Sequence, residues 1–185
     1  MNGSGKYAGQ GHEDLLGCID NQHRVEIHLC DMLERIADNL PEPVDAELAQ
    51  AGIVTLRECL KRHTLLEEKY LYPALSDRLS EGELADDLLN HIKCEHAADE
   101  SLAHDTADQL EEALAHGRVE NPEMLGYMLR GFFDCHRRHI AWEDAIVLPL
   151  ARDRLSRKDI CDFSVEEFEH SITAGRCGRK VSGFK

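Results

Sequence analysis

Two short stretches carry the residues best able to do chemistry. His63-Thr-Leu-Leu-Glu67-Glu68 runs on to Pro73, and His139-Ile-Ala-Trp-Glu143-Asp144 runs on to Pro149. Both read His-x3-Glu, then an acidic residue, then a proline ten positions after the histidine. His63 and His139, Glu67 and Glu143, and Pro73 and Pro149 all stand 76 residues apart. Residues four apart on an α-helix share a face, so each copy offers an imidazole and a carboxylate side by side. Two such faces brought together could share a metal.

A second pairing completes the set. His23 and His96 are 73 residues apart, each on the helix preceding one of these stretches. Each half of the chain then reads as a helical hairpin that supplies one His from its first helix and a His-x3-Glu pair from its second. Facing hairpins would gather His23, His63, His96, His139, Glu67 and Glu143 into one core. Imidazoles and carboxylates suit iron, manganese or zinc, and a Glu from each half can bridge two ions. This points to a dinuclear site, with an oxo, hydroxo or anionic ligand offsetting the charge that two Glu leave uncompensated. The competing reading is a structural network of His–Glu hydrogen bonds, but two buried carboxylates at matched positions would be costly without a cation.

The elements that must position these groups are helices. An apolar stripe of Ile19, His23, Ile27 (or Glu26), Cys30, Leu33, Ala37 and Leu40 predicts a helix from about 15 to 40. Pro41-Glu-Pro43 breaks it, and Asp45 is placed to cap a second helix from about Ala46 towards Leu79. Its seam runs Leu56, Cys59 or Leu60, His63, Glu67, Tyr70 or Leu71, and Ala74, with Pro73 kinking or ending it. Ser80-Glu-Gly-Glu83 has the form of a capping box for a third helix carrying His96 and ending near Gly117. Asn121-Pro122 opens a fourth, with Leu125, Leu129, Phe132, His136, His139, Glu143, Ile146 and Leu150 on one side. The fold expected is all-α: an antiparallel up-down-up-down four-helix bundle over residues 14–155, with a flexible lead over 1–13 and short C-terminal helices and a tail over 156–185.

Other candidates receive lesser roles. His136 is assigned to the core or to support of the ligands, and Glu68 and Asp144 to solvent or to orienting them; Glu100, four after His96, could add a ligand. Tyr70 and Trp142 lie near the site. His12, His28, His91, His104, His116 and His170 read as surface residues.

Composition narrows the function. The chain has 185 residues and 21 Lys+Arg against 36 Asp+Glu, a net charge of −15. That sign opposes the phosphate neutralisation on which nucleic-acid and anionic-membrane binding depend, so neither partner is expected. No apolar run suggests a membrane span and the start lacks the apolar core of a signal peptide, so a cytoplasmic protein is expected. Seven cysteines without Cys-x2-Cys spacing read as reduced thiols, with Cys30, Cys59 and Cys135 packed as small hydrophobes.

On His23, His63-x3-Glu67-Glu68 with Pro73, Glu95-His96, and His139-x3-Glu143-Asp144 with Pro149, the chain resembles the hemerythrin-like family of His-His-Glu cation-binding domains over roughly residues 15 to 150. The resemblance implies a non-haem di-iron centre of two iron ions, oxo- or hydroxo-bridged, with His23, His63, His96 and His139 as terminal ligands and Glu67 and Glu143 bridging. Oxygen-carrying members have a further His where this chain has Glu100, and use His-x4-Asp where this chain offers Glu143 ahead of Asp144. Four His and two Glu look more like the bacterial branch implicated in nitric oxide and oxidative stress. The function implied is binding of, or reaction with, oxygen, peroxide or nitric oxide; the alternative is an iron-handling or regulatory module without redox catalysis.

Overall fold

The computed structural model describes residues 14–79, 85–161, 163–165, 168–170 and 172 of the chain. These residues are all-helical, with no strand among them. Helix α1 (Leu15–Asn39) starts where the Asp14 carboxylate accepts the Gly17 N–H at 2.9 Å. Helix α2 (Ala46–Leu66) is capped by Asp45, which accepts the Leu48 N–H at 2.9 Å. The second helix of the sequence reading then continues as a π turn, Glu67–Leu71, and a short α3, Tyr72–Ser76.

The proposed capping box at 80–83 lies outside the described residues, as do the lead over 1–13 and the tail beyond 172. Helix α4 (Ala85–His116) ends at Gly117, whose φ of 64° suits a residue without a Cβ. Asn121 accepts the Met124 N–H at 3.0 Å and Pro122 fills the first position of α5 (Pro122–Trp142). A second π turn, Glu143–Val147, leads into α6 (Leu148–Arg154), and α7 (Arg157–Cys161) follows. Ser156 and Asp159 cap that last helix reciprocally, at 2.8 and 3.3 Å.

Helix α1 packs against α2 and α5, α2 against α4, and α4 against α5. Two apolar clusters form the core. One gathers Leu29 to Ala37 of α1, Ala49 to Leu60 of α2, Ala103 to Leu110 of α4 and Leu125 to Phe133 of α5. The other gathers Leu15 to Ile19, Leu66 to Leu75, Leu89 and Ile92, and Val147 to Leu155, and is closed by Phe168. Along each long helix the two clusters come in alternating order: α1 and α4 begin in the second, α2 and α5 in the first. Each large apolar side chain so buried contributes roughly 1.5–3 kcal/mol. His23, Glu26, His63, Glu67, His96, His136, His139 and Glu143 are also buried. Along the helices they fall between the two clusters, save Glu67, which follows Leu66 of the second, and together they form a polar layer.

The C-terminal segment supports that layer from outside. Phe168 stacks edge-on to Tyr70 at 5.8 Å, the Arg62 guanidinium lies 5.5 Å over its ring, and Arg62 donates to Glu169. Of the cysteines, Cys30 is fully buried, where burial pushes its thiol up to about 12. Cys59 and Cys135 are only half-buried, and no disulfide occurs among the described residues. No helix among them is long and apolar enough to cross a membrane.

Candidate metal centre

Each His-x3-Glu pair sits at the end of an α-helix, and a proline accounts for both endings. Pro73 and Pro149 have no N–H, and their rings crowd the carbonyl four residues earlier. The chain meets this with one wide turn. The Tyr72 N–H bonds the Glu67 carbonyl and the Leu148 N–H bonds the Glu143 carbonyl, each five residues back. Everything beyond is shifted by one residue against α-helical register. Leu148 is therefore buried beside Val147, and Ile146 is 42% exposed, correcting the expected inward Ile146. Leu75 is likewise buried where Ala74 was expected.

The shift also delivers a group that α-helical periodicity turns away. Tyr72, buried and stacked on His96 at 6.1 Å, has its hydroxyl 2.5 Å from Glu67 Oε2 and 2.9 Å from Glu143 Oε1. Tyr70, the tyrosine expected near the site, packs instead on Phe163 and Phe168.

Four imidazoles surround the two carboxylates, Nε2 inward. His23 Nε2 is 3.3 Å from Glu143 Oε2, and His139 Nε2 is 3.3 Å from Glu143 Oε1. His63 Nε2 is 3.4 Å from Glu67 Oε2, and His96 Nε2 is 3.2 Å from the same atom. Ligand atoms of His63, Glu67, His96, His139 and Glu143 all lie within 4.8 Å of one another, and His23 joins them through Glu143.

Behind three of the imidazoles stands a second carboxylate. His23 Nδ1 is 2.7 Å from Asp144, His96 Nδ1 is 3.2 Å from Glu68, and His139 Nδ1 is 3.0 Å from Glu95. An Nδ1–H donated outward leaves the Nε2 lone pair aimed inward and makes it a better donor. Glu68 and Asp144, at matched repeat positions, each orient the first-helix histidine of the opposite hairpin. Glu100 is exposed and takes no place in the cluster.

Sequence reasoning gave Glu26 no role, yet it is fully buried. Its Oε2 is 3.1 Å from His136 Nε2, and His136 Nδ1 is 2.8 Å from Asp99. The other oxygen, Oε1, is 3.9 Å from His63 Nδ1, beyond hydrogen-bond reach. Only the stripe position it shares with Ile27 hinted that it would point inward.

Electrostatics in the layer follow from burial set against close pairing. Burial pulls the His139 imidazole down, but Glu143 and then Glu95 outweigh it and raise it to about 9. His63 is held well above its ordinary value despite burial, by Glu26 and Glu67, and His23 is raised by Glu143. Burial pushes the Glu143 carboxyl up, yet His139, His23 and His63 together hold it well below the usual range. The Tyr72 phenol is driven strongly upward, by burial and then by Glu67 and Glu143, so it stays protonated.

Nε2 of His23, His63, His96 and His139, with Glu67 Oε1 and Glu143 Oε2, are buried and have no hydrogen-bond partner among the described residues. Unpaired buried polar atoms are expensive, and six aimed at one volume make sense as a donor set for cations. Imidazole nitrogen and carboxylate oxygen are the donors that divalent first-row metals take. A model of the hemerythrin HHE cation-binding domain matches residues 15–151. The chain belongs to that family. Every residue of the cluster from His23 to Glu143 lies within the match, as do Glu26, Tyr72 and His136. No curated protein and no solved structure matches the chain.

Proposed function

We propose that the chain is a non-haem di-iron protein that binds or reacts with oxygen, peroxide or nitric oxide, in sensing, scavenging or a stress response. The observation that carries this reading is the convergence of four imidazole nitrogens and two carboxylate oxygens, all buried and without a hydrogen-bond partner among the described residues, in one layer of a hemerythrin-family core. His23, His63, His96 and His139, with Glu67 and Glu143 between them, would hold two iron ions. Iron bound there supplies one-electron redox chemistry and coordination positions for a small molecule. The chain's own contributions are distinct. Asp144, Glu68 and Glu95 fix imidazole tautomers, Tyr72 holds the bridging carboxylates in register, and the two apolar clusters exclude water.

The frame we infer for the site is an antiparallel up-down-up-down bundle of α1, α2, α4 and α5 within residues 14–155. Its support is the alternating order of the apolar clusters along the four helices. Oxygen, hydrogen peroxide and nitric oxide are to be added in turn to anaerobic, iron(II)-loaded protein while visible absorption is followed. At least one should change the spectrum at a stoichiometry near one molecule per chain. If all three leave the spectrum unchanged while iron stays bound, the ligand chemistry is wrong, and an iron-handling module is what remains.

A further inference from the structure

Four histidines around two carboxylates suggest two equivalent ion positions, but the groups behind the histidines are not equivalent. The rings fall into two close pairs: His23 and His63 at 5.1 Å, and His96 and His139 at 4.9 Å. Each pair belongs to one hairpin. Glu143 spans them, with Oε2 towards His23 and His63 at 3.3 and 3.7 Å and Oε1 towards His139 at 3.3 Å. In the second hairpin both imidazoles donate to carboxylates, His96 to Glu68 and His139 to Glu95. In the first hairpin only His23 does so, to Asp144.

The His63 Nδ1 has no hydrogen-bond partner among the described residues. Its nearest carboxylate oxygen, Glu26 Oε1, is 3.9 Å away, and the other oxygen of Glu26 is taken by His136. The repeat shows what differs. Glu95, which supports His139, lies 73 residues after Gln22, the same offset that relates His96 to His23. Where the second hairpin has a carboxylate, the first has a neutral amide, whose Oε1 is itself buried and unpartnered. An imidazole without an outer carboxylate is a poorer donor in a less fixed tautomer.

The His23 side has an opening to solvent. A cavity of about 420 Å³ between α1 and α6 is lined by Asp20, His23, Arg24, Ile27, Asp144 and Arg152. It reaches the His23–Asp144 pair from solvent, since Asp144 is 53% exposed.

We propose that the two ion positions are unequal: the one held by His96 and His139 binds tightly, and the one held by His23 and His63 is the weaker, exchangeable position, reached through the α1–α6 cavity. This inference rests on the dinuclear reading above and deepens it. Loss of an outer partner typically costs about 10- to 100-fold in metal affinity, which sets the size of the asymmetry.

The test is a titration of metal-stripped protein with cobalt(II), a redox-quiet probe read by its visible bands, against a competing chelator. Two binding steps should separate by about tenfold or more. Glu95→Gln should weaken the tighter step, Asp144→Asn the weaker one, and Gln22→Glu should tighten the weaker step and narrow the gap. Ile27→Trp, which fills the cavity, should slow chelator removal of the first ion while leaving both affinities unchanged. Two equal steps in the unaltered protein overturn the inference alone, as does Glu95→Gln acting on the weaker step or an unchanged rate of removal in Ile27→Trp. Fewer than two ions per chain overturns the dinuclear reading and this inference with it.

Discussion

Tyr72 has one proton and two claimants. Its hydroxyl lies within hydrogen-bond distance of both Glu67 and Glu143 but can donate to only one at a time. It therefore ties two buried carboxylates to one point. Tyr72→Phe keeps the ring against His96 and removes the donor. It should destabilise the metal-stripped protein by about 1–3 kcal/mol, the cost of leaving a buried acceptor unsatisfied, measured by urea denaturation. A change below about 0.5 kcal/mol, the ordinary range for an inert surface substitution, would mean the carboxylates do not depend on it.

The histidines set a second expectation at this scale. His139 is raised to about 9 in the folded chain, against about 6.5 when unfolded, so the fold binds its proton more tightly. That contribution is fully present below about pH 6.5 and is lost as pH rises through about 9. His23 and His63 shift in the same direction. Glu143, held low, works the other way: its contribution is lost only as pH falls through its depressed value. Denaturation midpoints of metal-stripped protein should thus decline from about pH 6.5 to 9, where bound metal, which competes with these protons, should flatten the profile. A midpoint that rises over that interval in the stripped protein would contradict the assignment.

At the scale of elements, the π turns decide which side chains face inward. Helical periodicity was enough to turn His23, His63, Glu67, His96, His139 and Glu143 inward, because all lie on regular helix or at the first residue of the π turn that follows it. It stopped being enough one residue later. A π turn adds a residue that neither composition nor spacing announces, although a proline six positions after each Glu was the visible trace of it. Tyr72, Leu75 and Leu148 were missed for this one reason. Glu26 was missed for another, since a stripe read by period alone does not choose between neighbours, and Ile27 is the more apolar. Glu68 and Asp144, left between solvent and an orienting role in the sequence reading, and Glu95, given none, find their histidines only through how helices meet, which the sequence does not state.

This slip can be tested by truncation at Leu148, with Ile146→Ala, at a 42% exposed position, as the control that should stay within about 0.5 kcal/mol. Leu148→Ala, at a fully buried position, should cost about 2–5 kcal/mol, whereas regular α-helix would turn Leu148 away from Glu143 and leave its truncation nearly neutral; thermal or urea melts separate the cases.

For the whole molecule, the polar layer is a deliberate interruption of a core that would otherwise be continuous. Three fully buried carboxylates, Glu26, Glu67 and Glu143, lie among five buried imidazoles. Replacing such a layer with apolar residues is often neutral or stabilising in proteins where it has no other use. Surface ion pairs do little to offset the cost. Arg57 with Asp108 and Glu111, and Arg137 with Asp31 and Glu34, stitch neighbouring helices, but partly exposed pairs of this kind are typically worth about 0–1 kcal/mol. The layer is best understood as a cradle whose stability is completed by what it binds.

Metal content bears on that most directly. Protein produced with iron available should be analysed for metals, with a visible spectrum before and after exposure to air, alongside Glu143→Ala. The unaltered chain should carry about two iron ions, the number a paired bridging site accommodates, with oxo-bridge absorption appearing in air; Glu143→Ala should carry none. No metal in the unaltered chain even after iron reconstitution, or two tightly held irons retained in Glu143→Ala, would contradict the assignment of this layer as a di-iron centre.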